Sequence, residues 1–435
     1  MKTEFTPAQL ADPDLAEANK ILRSCVHCGF CTATCPTFLI RGDELDSPRG
    51  RIYLMKEMLE QDRPADPETV THIDRCLGCL ACMTTCPSGV HYAHLLEIGK
   101  AHIERTYRRP WRDRALRWLL AKTLPDAGRF RAALLGARFA RPFRALIPDR
   151  RLRAMLDMVP RSLPARSPND AAQTFAPVGK RRARVALMIG CAQRVLNTDI
   201  NDATIRLLRR AGCEVVIPTD FGCCGAMTLH MGRDAEGRAT ARAAIASLIA
   251  ADRAAPLDAV IINTSGCGTT IKDYGHLFAG DPLEGDARRI AALARDVTEF
   301  FDAHGLPAVT SPGGRVAYHS ACSLQHGQQV RSAPKSLLAQ AGFTVVEPEN
   351  PHLCCGSAGT YNLLQPELSD ELKARKLATL AATAPEIVAA GNIGCMVQIG
   401  SGTKLPVVHT VELLDWATGG PRPPRLGPQV LKPAH

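Results

Sequence analysis

Eight of the chain's seventeen cysteines lie between residues 25 and 86, in two matched runs. The first reads Cys25-Val-His-Cys28-Gly-Phe-Cys31-Thr-Ala-Thr-Cys35-Pro36 and the second Cys76-Leu-Gly-Cys79-Leu-Ala-Cys82-Met-Thr-Thr-Cys86-Pro87. Each is C-x2-C-x2-C-x3-C-P, the spacing that ligates [4Fe–4S] clusters. Three thiolates two residues apart let one short loop wrap three corners of a cuboidal cluster, while the fourth cysteine, carried off on the following helix, reaches the other cluster. On that rule Cys25, Cys28, Cys31 and Cys86 hold one cluster, and Cys35, Cys76, Cys79 and Cys82 hold the second. Zinc knuckles need only two C-x2-C pairs and leave half of each run unexplained. Disulfides imply export, and residues 1–20 show no signal peptide. Two clusters in one small unit make a wire for single electrons.

The elements that hold these runs follow from local signals. Pro36 and Pro87 start helices at a position where the missing N–H costs little. A polar helix is expected from Pro7 to Leu22, another up to about Glu60, and a closing helix from Tyr92 to about Arg109. Arg49 and Arg51 stand between the runs, either to stabilise reduced, anionic clusters or as solvated surface residues. At 435 residues the chain is long enough for two or three domains, and it holds no apolar stretch of membrane-spanning length.

Charge is concentrated in one place. The net charge is +10, yet residues 105–166 alone hold sixteen Arg and one Lys against four Asp, a local +13. Trp111, Trp118, Phe130, Phe139 and Phe143 sit among these arginines at helical spacing, which predicts amphipathic helices. Docking of a partner subunit, a membrane surface and mere packing compete here. Nucleic acid is disfavoured because no binding module accompanies the charge. Residues 160–180, rich in Pro, Ser and Arg, read as a linker.

From Arg182 onward the chain repeats itself. Arg184–Cys191 matches Arg315–Cys322, and Cys223-Cys224-Gly225 matches Cys354-Cys355-Gly356 at an offset of 131 positions. Asp258–Cys267 matches Glu386–Cys395, and Val297–Asp302 matches Thr410–Asp415. Each copy reads as strand, helix, strand, Cys-Cys-Gly turn, helix, strand, an α/β unit with a mostly parallel sheet. Its cysteines fall at the carboxyl ends of strands, where open α/β sheets place ligand sites. Four remain per copy: Cys191, Cys223, Cys224 and Cys267, then Cys322, Cys354, Cys355 and Cys395. A further cluster, a redox thiol site and buried small residues on tight turns are the competing readings. His319, His326 and His352 stand near the second set as extra candidate ligands, and Cys213 reads as a packed thiol.

The C-x31-C-C-G pattern with its later cysteine resembles the cysteine-rich (CCG) domains of heterodisulfide reductase and related iron–sulfur proteins. That family's fifth cysteine, three positions beyond the last, is replaced here by Thr270 and Gln398. Two ferredoxin-type runs followed by two CCG units is an arrangement shared with iron–sulfur partners of flavoenzymes. The stretches Cys25–Phe38 and Gly42–Lys56 are similar to the glycolate oxidase iron–sulfur subunit family in particular. The resemblance implies an electron-transfer subunit of a glycolate dehydrogenase, an acceptor-dependent oxidoreductase. One or two FAD-binding partner subunits would oxidise glycolate to glyoxylate, and a quinone or other acceptor would take the electrons. No G-x-G-x-x-G or Walker motif appears, so flavin and substrate belong on the partner, and no catalytic residue is assigned here. A lactate or anaerobic glycerol-3-phosphate dehydrogenase subunit, a heterodisulfide-reductase-like enzyme and a metal-stabilised scaffold are the alternatives.

The expected architecture is α+β. A helical ferredoxin-like domain (1–104) is followed by a basic helical connector (105–181), two CCG repeats (182–305 and 306–420) and a flexible tail (421–435). The expected location is the cytoplasm, with peripheral attachment to the inner membrane's cytoplasmic face.

Overall fold

Residues 1–160 and 162–427 are described by a computed structural model of the chain. The fold is α+β: a helical N-terminal part, a helical connector and two small α/β units. Helices Pro13–Ser24, Pro48–Glu60 and Tyr92–Thr106 surround an apolar core that includes Leu22, Met55, Met58, Ile73 and Leu95. The shorter helices Pro36–Arg41, Pro67–Asp74 and Ala81–Thr85 carry the cysteine runs and the segment between them. Four of these helices begin with proline at the first position, where no intrahelical donor is needed. The polar helix expected from Pro7 starts at Pro13 instead, after a short 3-10 turn at Gln9–Ala11, because Asp12 caps its first turn.

The connector is helical, as its periodicity predicts, over Trp111–Thr123, Ala127–Ala140 and Arg150–Asp157. Leu116 and Leu120 of the first helix and Leu124 just beyond it are buried, whereas no residue of Ala127–Ala140 is. Phe139 is 81% exposed and Leu146 80%, beside exposed Trp111, Trp118 and Phe143.

The first sheet comprises β1 (Gln173–Phe175), β2 (Ala183–Met188), β3 (Cys213–Ile217), β4 (Ala259–Ile262) and β5 (Ala294–Asp296), in the order β1-β3-β2-β4-β5. The second comprises β6 (Arg315–His319), β7 (Thr344–Val346), β8 (Ile387–Ala390) and β9 (Val407–His409), in the order β7-β6-β8-β9. All pairings are parallel except that of β1 with β3. Without β1 the two orders are the same, so the sequence repeat is a repeat of topology. β1 lies within the stretch read as a linker. Its three residues carry no detectable alternation, and only the free edge of β3 makes them a strand.

The copies pack reciprocally. Helix Asp199–Arg210 of the first lies on Thr410–Ala417 of the second, and Val297–His304 lies on Ala333–Gln340. At the carboxyl ends of the sheets, Ser265 N–H donates to Gly391 O, and Asn392 Nδ2 donates to Ser265 Oγ at 3.0 Å. Residues 421–427, expected as loose tail, form a turn with Leu426 buried in the sheet core; 428–435 lie outside the described residues.

Candidate metal and redox centres

All seventeen cysteines lie among the described residues, and none is paired in a disulfide. Cys25, Cys28, Cys31 and Cys86 line one pocket, together with Ile52 and Val90. Gly29, at φ +86°, turns this loop back on itself, and a Cβ there would meet Arg49 Nη1 at 2.6 Å. The loop faces outward: Val26 is 67% exposed and Phe30 65%, and Cys28 is exposed.

The second run lies inside the molecule. Cys82 lies near Cys79, Cys76 and Cys35, so the fourth cysteine of the first run approaches the first three of the second, and Cys82 also borders Cys31 and the pocket of the outer set. Donors converge on these sulfurs. Gly78 N–H and Tyr92 Oη point at Cys76 Sγ at 3.4 and 3.5 Å, and Thr37 Oγ1 lies 3.3 Å from Cys35 Sγ. Hydrogen-bond donors directed at sulfur are what a bound thiolate requires. The donor set therefore fits cuboidal clusters on both runs. Burial pushes the metal-free Cys31 thiol up to about 11, and those of Cys79 and Cys82 up as well, so loading releases protons.

Arg51 separates the two readings of the intervening arginines. It is 1% exposed, and its Nε donates to His72 O at 2.7 Å. Its Nη1 lies 3.8 Å from Cys35 Sγ and its Nη2 3.2 Å from Asp46 Oδ1. Asp46, fully buried, also contacts Arg75 at 3.1 Å and His72 Nδ1 at 2.9 Å. Arg51 is thus no solvated surface residue. Arg49 is half-exposed and pairs with Glu44 at 2.7 Å. Asp46 and His72 escape sequence reading, since an isolated acid and an isolated histidine carry no spacing signal.

In each α/β copy the four cysteines meet at the carboxyl ends of the strands. The thiols contact one another in series: Cys191 with Cys223, Cys223 with Cys224, and Cys224 with Cys267. In the second copy the series is Cys322, Cys354, Cys355, Cys395. Gly225 and Gly356 both adopt φ +89°, and a Cβ on either would sit 2.6 Å from Gly237 O or 2.5 Å from Ser369 O, in the long helices Asp234–Ala254 and Pro366–Ala382. Glycine is therefore required by the backbone at both turns. The amide N–H of each glycine points at the first cysteine of its pair, at 3.5 and 3.4 Å.

Of the histidines beside the second copy, His326 is satisfied by Thr84 Oγ1 at 2.8 Å and His352 O at 3.2 Å. His352 is partly buried. His319 is fully buried with neither ring nitrogen partnered, and burial pushes it down to about 3. Gln398, where the heterodisulfide reductase pattern has a fifth cysteine, donates to Ser369 Oγ at 2.8 Å and is committed to the core. Cys213 is a buried strand residue, pushed up to about 11 by burial.

Cys79 of the second run shares a small apolar cluster with Cys322, Cys354, Leu77 and Tyr361. Tyr361 Oη donates to Arg75 O at 3.0 Å, tying the second copy to the helical part. A cavity of about 780 Å³ extends from Cys76 and Cys79 to the cysteines of both copies, roofed by Leu120, Leu124, Leu134 and Leu156 of the connector.

Comparison with known proteins converges on the same regions. Residues 21–90 match a 4Fe-4S dicluster domain, and residues 185–272 and 316–400 each match a cysteine-rich domain. The glycolate oxidase iron-sulfur subunit of Escherichia coli is 39% identical over 96% of this chain and 99% of its own length. The chain belongs to the family of glycolate oxidase iron–sulfur subunits. The probable glycolate oxidase iron-sulfur subunit of Bacillus subtilis is 33% identical over 92% of the chain and 94% of that protein. Lactate utilization protein A of Oceanobacillus iheyensis is 31% identical over 53% of the chain and 96% of its own length. As a member of this family the chain is one component of an oxidoreductase assembly. Among its described residues no helix is long and apolar enough to cross a membrane.

Proposed function

We propose that the chain carries electrons from FAD-binding partner subunits, which oxidise glycolate to glyoxylate, to a quinone or another acceptor. Two [4Fe–4S] clusters, one on Cys25, Cys28, Cys31 and Cys86 and one on Cys35, Cys76, Cys79 and Cys82, would supply the one-electron chemistry. The residues of the chain set the direction. The observation that carries this reading is the contrast between the two runs: one loop faces solvent, and the other abuts the cysteines of the second copy. Val26 and Phe30 form an apolar rim for a docking flavoprotein, while Leu77, Tyr361 and the connector leucines keep water from the inner run. Arg51 holds a positive charge beside Cys35 without solvent screening. The apolar cavity next to Cys79 gives an acceptor ring a place within reach of the inner cysteines.

The assembly works in the cytoplasm, with Trp111, Phe139, Phe143 and Leu146 among arginines resting on the anionic inner face of the membrane. Val26→Asp with Phe30→Asp, made in the co-expressed complex, is the test. Glycolate should still bleach the flavin, but reduction of the iron–sulfur signals should fall at least tenfold. Undiminished transfer would overturn the docking direction. Substrate assignment is tested by presenting glycolate, lactate and glycerol 3-phosphate to the same complex; reduction by lactate alone would move the chain to the lactate branch.

A further inference from the structure

The two copies share a topology but not a donor set. In the second, His319, Cys355 and Cys395 each bring a ligand atom to within 4.8 Å of the other two, and all three residues are buried. Among the described residues, neither the first copy nor the eight run cysteines gather three donors so closely. The distance is informative. Ligands of one tetrahedral ion, bound at about 2.0–2.3 Å, lie within about 4 Å of each other. Thiolates on the corners of a four-iron cluster stand farther apart, and no three of the run cysteines lie within 4.8 Å of one another. His319 supplies an independent sign: both of its ring nitrogens are buried and without a partner, a state that native interiors rarely tolerate. At the matching place in the first copy stands Met188, also buried, which offers no imidazole.

We propose that the second copy, unlike the first, holds a single divalent ion on His319, Cys355 and Cys395, with a neighbouring thiol of the series as fourth ligand. Sulfur and imidazole donors in a closed, buried site select zinc or a mononuclear iron. Binding converts the Cys355 and Cys395 thiols to thiolates and releases two protons, which balances the charge of the ion. Cys354, whose thiol touches that of Cys355 but lies outside the close triad, is the fourth ligand and would close on the ion as it binds, with the buried Lys376 alongside to offset a third thiolate. Imidazole takes the role that a fifth cysteine has in the heterodisulfide reductase pattern, from the strand end rather than from the helix. The inference deepens the reading of the copies as metal or redox sites, and it does not depend on the two clusters.

The test uses the full chain purified without oxygen, with iron and zinc counted by mass spectrometry and the extra metal examined by X-ray absorption at its own edge. The wild type should carry one zinc, or one iron beyond the eight of the runs, with an imidazole scattering signature. His319→Leu should lower its occupancy at least tenfold while leaving the eight irons, and Met188→Leu should change neither. His319→Cys should retain the ion and lose the imidazole signature. Absence of any further metal, four further irons instead of one ion, or an unchanged complement in His319→Leu each overturns the proposal. Should His319→Leu fail to fold, His319→Cys decides: retention supports the site and loss refutes it. Loss of the eight irons from wild type would instead refute the cluster assignment, with the ninth metal judged separately.

Discussion

Arg51 is the residue whose removal has the most specific consequence. It is sealed from water, and its Nη1 lies 3.8 Å from Cys35 Sγ. A full unit charge on that sulfur would interact with the guanidinium by about 4 kcal/mol at an effective dielectric of ~20. An added electron is shared over a whole cluster, so roughly a quarter of that, about 1 kcal/mol, is felt through the nearest corner. The more distant corners add up to about as much again. At 59 mV per 1.4 kcal/mol for one electron, Arg51→Met should lower the potential of the inner cluster by roughly 40–85 mV. The outer cluster proposed for Cys25, Cys28, Cys31 and Cys86 should move far less. The assay is a redox titration of the purified complex followed by electron spin resonance, with both clusters read separately. Asp46 is fully buried and keeps Arg75 and His72 as partners when Arg51 is lost, so the single variant should fold with a stability loss of up to about 3 kcal/mol. Arg51→Met with Asp46→Asn removes one charge of each sign and should bring the potential back toward wild type. An unchanged inner potential, a rise, or an equal fall at both clusters would refute the reasoning.

Other outcomes follow from the same geometry. Gly356→Ala places a Cβ 2.5 Å from Ser369 O at φ +89° and should cost about 3 kcal/mol or more in chemical unfolding, whereas Gly136→Ala, in open space on an exposed helix, should be neutral or stabilising by up to about 1 kcal/mol. Glu412 completes a capping box with His409, and burial pushes its carboxyl up to about 7. Because the folded value lies above the ordinary 4.5, stability is full below about pH 4.5 and declines as pH rises to about 7, by roughly 3 kcal/mol. Glu412→Gln keeps the box and should flatten that slope in urea midpoints measured across pH 5–8; an unaltered slope would exclude Glu412 as its source. Vesicles with anionic lipid should sediment the complex, and Phe139→Glu with Leu146→Glu should reduce the bound fraction at least fivefold; equal binding would place the basic connector elsewhere. Cys79→Ala should abolish acceptor reduction while the partner's flavin is still reduced by substrate, and unimpaired acceptor reduction would defeat the wire.

The parts of this chain that were legible in its sequence are those where chemistry fixes spacing. The two cysteine runs, the Cys-Cys-Gly turns and the 131-residue offset between copies are of this kind, because a loop around a cluster and a turn with a positive-φ glycine tolerate few alternatives. Strand β1 was not legible: three residues of Gln173–Phe175 become a strand only by meeting the edge of β3. Arg51 was half legible, since charge beside a cluster can be read but burial cannot. The second helix of the connector shows the converse limit. Its pattern predicts an amphipathic helix and a helix forms, but nothing in the pattern says that its apolar side is only half-buried, over a wide cavity. His319 was legible as a neighbour of the second cysteine set, and only three dimensions separate it from His326, which is satisfied by Thr84.

On the proposed assignment, the outward-facing loop at Cys28 would also govern how the protein ages in air. Oxygen and peroxide attack clusters from solvent, so the exposed Cys25–Cys31 loop should be stripped first, while the inner run, shielded behind Leu77 and Tyr361, survives. A sample handled carelessly would then keep about half its colour and lose all its communication with the flavoprotein. On the proposed assignment the same asymmetry would also ease repair, because the site that is lost first is the one open to solvent without unfolding.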